Sequence, residues 1–122
     1  MKRNLTLYIR DILENMRDAE GFIHGMSFEQ FATDKKTLNA VTRSVEVIGE
    51  ATKHVPESLR SKCPAVPWKE MAGIRDKVID FCFRVDREAV WLVVKERIPV
   101  IKPLIEKILQ ELEQSGDTTA TS

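Results

Sequence analysis

Val66-Pro67-Trp68-Lys69-Glu70-Met71-Ala72-Gly73-Ile74-Arg75-Asp76-Lys77-Val78-Ile79-Asp80-Phe81-Cys82-Phe83-Arg84-Val85-Asp86 is the stretch whose reading decides the fold. Pro67 suits the first position of a helix, where the amide proton it lacks has no intrahelical partner. Trp68, Met71, Ile74 and Val78 recur at three- and four-residue steps, and Phe81 extends that face by one more. Phe81 to Val85 is then rich in β-branched and aromatic residues, which suits an irregular exit before a helix capped by Asp86. Arg75 and Asp80 lie five residues apart, so a regular helix would set them roughly 140° apart. They cannot share one face of it. Either the helix unwinds just after Ile79, or the pair lines a groove completed by a second subunit.

The rest of the chain is helical in pattern. Leu5, Leu7, Tyr8, Ile12, Leu13, Met16, Ala19 and Ile23 mark one face of a first helix that ends near Gly21 to Gly25. Ser27 caps a short turn carrying Phe28 and Phe31. Asp34 caps a long helix with Leu38, Val41, Val45, Ile48 and Ala51 or Thr52 inward. Gly49 within it costs about 1 kcal/mol relative to Ala, which predicts a close neighbour as compensation. Pro56 stops that helix, and Ser58 to Lys62 form a brief further turn. After Asp86 the stripe Val90, Trp91, Val94, Ile98, Ile101, Leu104, Ile105, Ile108 and Leu109 predicts a long last helix. Pro99 and Pro103 fall inside it and predict a kink near residues 98–102. Residues 1–114 are therefore read as one all-α domain, an up-and-down bundle of four or five helices, and the small polar residues 115–122 as a disordered tail.

Nineteen basic and nineteen acidic residues cancel, so no global field draws the chain to nucleic acid. RNA contact would have to come from local placement of Arg and Lys. Charged residues at 31% and hydrophobics at 43% suit a helix-rich protein with solvated faces. No apolar run approaches the roughly 20 residues of a membrane span. The first residues enter an amphipathic pattern rather than a secretory core, so a cytoplasmic location is expected. Cys63 and Cys82 are read as free thiols, Cys63 as a small apolar filler. His24 and His54, thirty residues apart, have no ligand-spaced partners, so neither a metal site nor a cofactor is expected.

Three segments carry a more specific signal: Arg43-Ser44-Val45-Glu46-Val47-Ile48-Gly49-Glu50-Ala51, then Val66 to Asp76, then Val85-Asp86 ahead of Val90-Trp91. In that order and at those separations, they make the chain resemble the HepT-like branch of the HEPN superfamily, small helical toxins of toxin–antitoxin pairs. The resemblance runs from residue 1 to about residue 112. It implies a HEPN-like bundle that acts as a homodimer and cuts RNA, transfer RNA or messenger RNA, without a metal. The implied antitoxin partner is a minimal nucleotidyltransferase. In the family pattern an Arg is followed after four residues by a His, and two residues later by a Tyr. The Arg binds the phosphate as a planar bidentate donor. The His moves protons as the ribose 2′-hydroxyl attacks, and the Tyr accepts AMP from the antitoxin. Arg43, Glu46, Glu50 and Asp76 are read either as a solvated charged face with modest pairing or, as the resemblance implies, as residues that pack beside this motif and help position it.

This sequence keeps Arg75 but departs at the other two positions: Asp80 stands where the His belongs and Cys82 where the Tyr belongs. Arg84 stands where relatives often have Gly. A carboxylate with a reference pKa of about 3.9 has no proton to give at neutral pH. Burial would raise it toward a general-base role, whereas Lys77 and Arg84 would neutralise it if the helix continued. Cys82 removes the phenol. Catalysis is thus expected to be impaired, with a catalytically weak helical dimer binding RNA or antitoxin as the alternative. A plain helical adaptor ranks behind both. Outside the motif, Trp68 and Trp91 are read as core or interface anchors. His54 is assigned to the last carbonyls of its helix or to solvent, and His24 to a turn.

Overall fold

A computed structural model describes residues 4–80 and 82–115 of the chain. Helix α1 (Leu5–Phe22) starts where the Asn4 side chain accepts the Thr6 amide at 2.7 Å. Its inner face is Thr6, Ile9, Ile12, Leu13, Met16 and Ala19, all buried. Ile9 belongs to that face, whereas Leu7, expected there, is 37% exposed. Helix α2 (Phe28–Thr33) opens with a reciprocal cap between Ser27 and Gln30 and buries Phe31. Asp34 caps α3 (Lys35–Lys53), where Leu38, Val41, Val45, Ile48, Ala51 and Thr52 are all buried as the stripe predicted. The short α4 (Glu57–Lys62) follows Pro56.

The decisive stretch forms two short helices rather than one. Pro67 caps α5 (Trp68–Ala72), and Gly73 separates it from α6 (Ile74–Val78). Trp68, Met71, Ile74 and Val78 are nonetheless buried on one side, because the bend at Gly73 preserves the face. Gly49 has the close neighbour its position called for. A Cβ there would lie 3.0 Å from Ile74 Cγ2 and 3.4 Å from the Met71 carbonyl oxygen. This contact lets α5 and α6 settle against α3. Phe81 lies outside the described residues, so its expected inward step has no structural counterpart here.

Asp86 caps α7 (Arg87–Leu92), a π-helical turn follows at Val93–Arg97, and α8 (Ile98–Gln114) completes the rod. The expected irregularity exists, but one turn earlier than residues 98–102. A proline disturbs the carbonyl four residues before it, so Pro99 acts on Lys95 rather than on its own turn. The Ile98 amide bonds to the Val93 carbonyl, the i→i+5 pattern of a π turn. The turn also serves the core. Val90, Val94 and Ile98 are spaced four and four, which on an α-helix overshoots one face by about 80°. The wider turn takes back most of that rotation, and Val93, Val94 and Ile98 are all buried.

The long α1 packs along α3 and α8, and α3 is flanked on its other side by α5 and α6. The bundle thus has four members, α1, α3, α5–α6 and α7–α8, with α2 and α4 as connecting turns, an all-α fold as expected. Among the described residues the one strand-like pairing is an antiparallel bridge between Ile79 and Val85. Ion pairs run between α1 and α8: Arg10 with Glu113 at 2.8 Å, and Lys102 with Glu20 at 2.5 Å. Ser115 ends α8 with its amide on Glu111. The rest of the expected tail, residues 116–122, lies outside the described residues. No described helix is long and apolar enough to cross a membrane.

Candidate functional site

Arg75 leaves α6 at its second residue and reaches across to α3. Its Nε donates to Glu46 Oε2 at 3.3 Å. The two terminal nitrogens make no hydrogen bond among the described residues, and the side chain is 46% exposed. The guanidinium is therefore held by one edge while its outer pair of donors faces open space. That space is a cleft of about 480 Å3 lined by Tyr8, Asp11, Arg43, Glu46, Val47, Glu50, Ala51, His54 and Arg75. The sequence spacing explains the α3 wall, since Arg43, Glu46 or Val47, Glu50 and His54 succeed one another turn by turn. Arg43 makes no hydrogen bond or ion pair among the described residues and supplies a second guanidinium to the cleft.

His54 was assigned to carbonyls or solvent; half of its side chain is exposed, but it does not serve the carbonyls. Arg60 serves the end of α3 instead, with Nε on Val55 O at 3.0 Å and a terminal nitrogen on Thr52 O at 2.8 Å. The His54 ring is left to stack on Tyr8, with centroids 4.9 Å apart and planes 8° from parallel. Its Nε2 sits 3.6 Å from Glu50 Oε2. Sequence reasoning missed this residue because His54 and Tyr8 are 46 positions apart and each has its own local explanation. The four-residue step from Glu50 to His54 was the one legible signal. His24 lines a separate hollow with Glu20, Lys95 and Pro99.

Asp80 and Cys82 do not line the Arg75 cleft. Helix α6 ends at Val78, and Asp80 opens a tight turn closed by the Ile79–Val85 bridge. Asp80 Oδ1 accepts the amides of Cys82 at 2.8 Å and Arg84 at 3.0 Å, and Arg84 Nε lies 3.4 Å from Oδ2. The helix does unwind, one residue earlier than expected, with Ile79 already in extended conformation. These backbone donors, led by the Arg84 amide, hold the Asp80 carboxyl below the usual carboxylate range. The expectation of an ordinary or burial-raised carboxyl is thus corrected: Asp80 is exposed and its anion is favoured. Neutralisation comes from Arg84 around the turn, not along a continued helix. The left-handed residue of this turn is Phe83, with φ of 62°, and it is 77% exposed. Cys82 is exposed with a free thiol. Asp76 is exposed in the first turn of α6, outside the cleft.

The two tryptophans are structural. Trp68 is buried, with Nε1 donating to the Cys63 carbonyl at 3.0 Å. Trp91 packs edge-on against Phe28 at 5.7 Å and tilted against Phe31 at 5.3 Å. Neither presents a free face to the cleft. Cys63 packs half-buried against the core, and burial pushes its thiol pKa up.

Comparison with known proteins points one way. A family profile described as Ribonuclease HepT-like matches residues 12–108. A protein of Methanocaldococcus jannaschii with a provisional RNase name is 45% identical over 118 residues, covering 97% of this chain and 98% of the relative. A second from the same organism, also provisionally named an RNase, is 45% identical over the same length. A protein of Thermococcus cleftensis, provisionally named ribonuclease HepT, is 44% identical over 108 residues, covering 88% of this chain and 98% of its own. No solved structure matches the chain.

Proposed function

The chain belongs to the HepT-like ribonuclease family, and on that footing we propose that it is the toxin of a toxin–antitoxin pair, cutting RNA at a groove between two copies of itself, with attenuated cleavage in this form. The observation that carries the reading is the posture of Arg75. One edge of its guanidinium is anchored on Glu46, and the outer donors point into an open cleft. That is the arrangement a phosphate-binding arginine needs, since its fork is oriented before the ligand arrives. Arg43 adds a second positive group from the α3 wall. Glu46 and Glu50 then position the guanidinium and the imidazole of the cleft.

In the reaction class this family name implies, the ribose 2′-oxygen attacks phosphorus and the bond to the 5′-oxygen breaks. Charge accumulates on the phosphoryl oxygens, where the outer donors of Arg75 would stabilise it. The family places proton transfer at position 80. Asp80 is a poor substitute, because its carboxylate is engaged by two backbone amides and favoured as the anion. Cys82 likewise offers no phenol for AMP. The same tie at Asp80 favours the second reading, a helical dimer that binds RNA or a nucleotidyltransferase antitoxin without cutting.

The experiment compares cleavage of single-stranded and transfer RNA by the natural chain, by Asp80→His/Cys82→Tyr, and by each with Arg75→Ala. Restoring the motif should raise cleavage and slow growth of the expressing cells, and Arg75→Ala should abolish both. Equal growth and no cleavage with the restored motif, while antitoxin binding persists, would establish the binding module instead.

A further inference from the structure

We infer that His54, rather than the residue at position 80, is the proton-transfer group of this protein, acting on RNA held by Arg75 in the α1–α3–α6 cleft. The inference rests on the ribonuclease reading above. It begins from the separation of the two halves of the motif. Arg75 faces the cleft, while Asp80 lies outside it, with its carboxylate committed to the turn it caps. A phosphodiester on the outer donors of Arg75 therefore meets a different set of titratable side chains. Those lining the cleft with His54 are Tyr8 and Asp11 on α1, Arg43, Glu46 and Glu50 on α3, and Arg75 on α6, and Lys53 pairs with Glu50 beside it. Within that set the imidazole is the group whose ordinary titration falls near neutral pH, and so the one able both to take and to give a proton there.

The ring is also held as such a group needs to be. Its stack on Tyr8 fixes its plane, with 8° between the rings, and half of the side chain remains open to the cleft. Glu50 Oε2 stands 3.6 Å from Nε2, beyond hydrogen-bond length, so the carboxylate neighbours the ring without tying up its nitrogen. The backbone end of α3 does not compete for the ring, because Arg60 already occupies the Thr52 and Val55 carbonyls. In the step, the bond from the ribose 2′-oxygen to phosphorus forms and the bond from phosphorus to the 5′-oxygen breaks. The 2′-hydroxyl proton passes to His54. The departing 5′-oxygen takes a proton from water, and the imidazolium returns its own to solvent. The products are a 2′,3′-cyclic phosphate and a free 5′-hydroxyl.

The test uses the natural full chain and an RNA oligonucleotide, with turnover, KM and end-group chemistry measured from about pH 5 to 9. His54→Ala is expected to lower kcat by roughly 10²- to 10⁴-fold with little change in KM. Added imidazole should restore part of that rate, and the rate limb that follows the free imidazole's titration should replace the protein's own. His54→Gln, which keeps a polar side chain under Tyr8, should be as slow as His54→Ala but unresponsive to imidazole, and His24→Gln should be unchanged. Helical circular dichroism checks that each variant folds. If His54→Gln cleaves at the natural rate while Arg75→Ala does not cleave, His54 is overturned and the ribonuclease reading stands. If the natural chain is silent and Asp80→His/Cys82→Tyr cleaves, His54 is again overturned. If neither cleaves, both readings fall.

Discussion

Phe83 shows how much a single residue can be asked to bear. An aromatic residue in the left-handed region costs about 1–2 kcal/mol, because Cβ crowds the following carbonyl oxygen, and Phe83 sits there with φ of 62°. Being 77% exposed, it recovers little of that by burial. Asp80 sustains the conformation by accepting the amides of Cys82 and Arg84 across the turn. Phe83→Gly should therefore stabilise the protein by about 0.5–1 kcal/mol, less than the full strain because Gly loses more entropy on folding. A rise in the urea midpoint at constant slope checks it. Gly49 is the opposite case. Ala there gains about 1 kcal/mol of helix propensity, yet its Cβ would press on Ile74 Cγ2 at 3.0 Å and on a backbone oxygen at 3.4 Å. Ile74 is short, branched and buried, so overpacking of roughly 1–3 kcal/mol should win. Gly49→Ala is expected to destabilise by about 1 kcal/mol and to weaken RNA binding, since Ile74 adjoins Arg75.

At the scale of elements, the π turn at Val93–Arg97 is tied to α5 through one side-chain pair. Arg97 donates twice to Glu70 on α5, at 2.7 and 2.9 Å. That bidentate bond holds the Glu70 carboxyl below its ordinary value of 4.5. A carboxyl depressed in the folded state stabilises fully above the unfolded value and loses that contribution as pH falls through the depressed one. Glu70→Gln should therefore cost about 1 kcal/mol at pH 7, a modest figure because the pair is part-exposed. The gap to the natural chain should narrow progressively as pH falls below 4.5. Denaturant midpoints at pH 7 and in acid decide it, and a gap that persists undiminished in acid would assign the loss to packing. The stripe that placed this helix was legible from spacing alone, and so was the disturbance by Pro99. Its exact place was not, because a proline acts one turn upstream and the four-plus-four step from Val90 to Ile98 becomes a π turn only when packing demands one face. The break at Gly73 was hidden for a related reason: the face it preserves is the same one a straight helix would show.

The whole molecule carries no net charge, which makes its approach to RNA a matter of a few placed groups. Arg75 was legible because its frame is distinctive, and Arg43, Glu46 and Glu50 because they follow one another along α3. His54 was not, since only the tertiary approach of α1 brings Tyr8 beneath it. Arg43 and Arg75 are matched in the cleft by Asp11, Glu46 and Glu50. The local field is thus not positive either, and binding must rest on specific contact with one or two phosphates rather than on a basic surface. Counterion release then sets a measurable limit. Each phosphate neutralised on a single strand contributes a slope of about −0.7 in log K against log salt. Two guanidiniums per protomer predict a slope near −1.4 for each bound strand, by the same relation. Arg75→Ala should bring it to about −0.7 and weaken binding across RNA sequences alike. A slope several times steeper, unmoved by that substitution, would place the RNA on another face of the bundle and detach the cleft from the chemistry assigned to it.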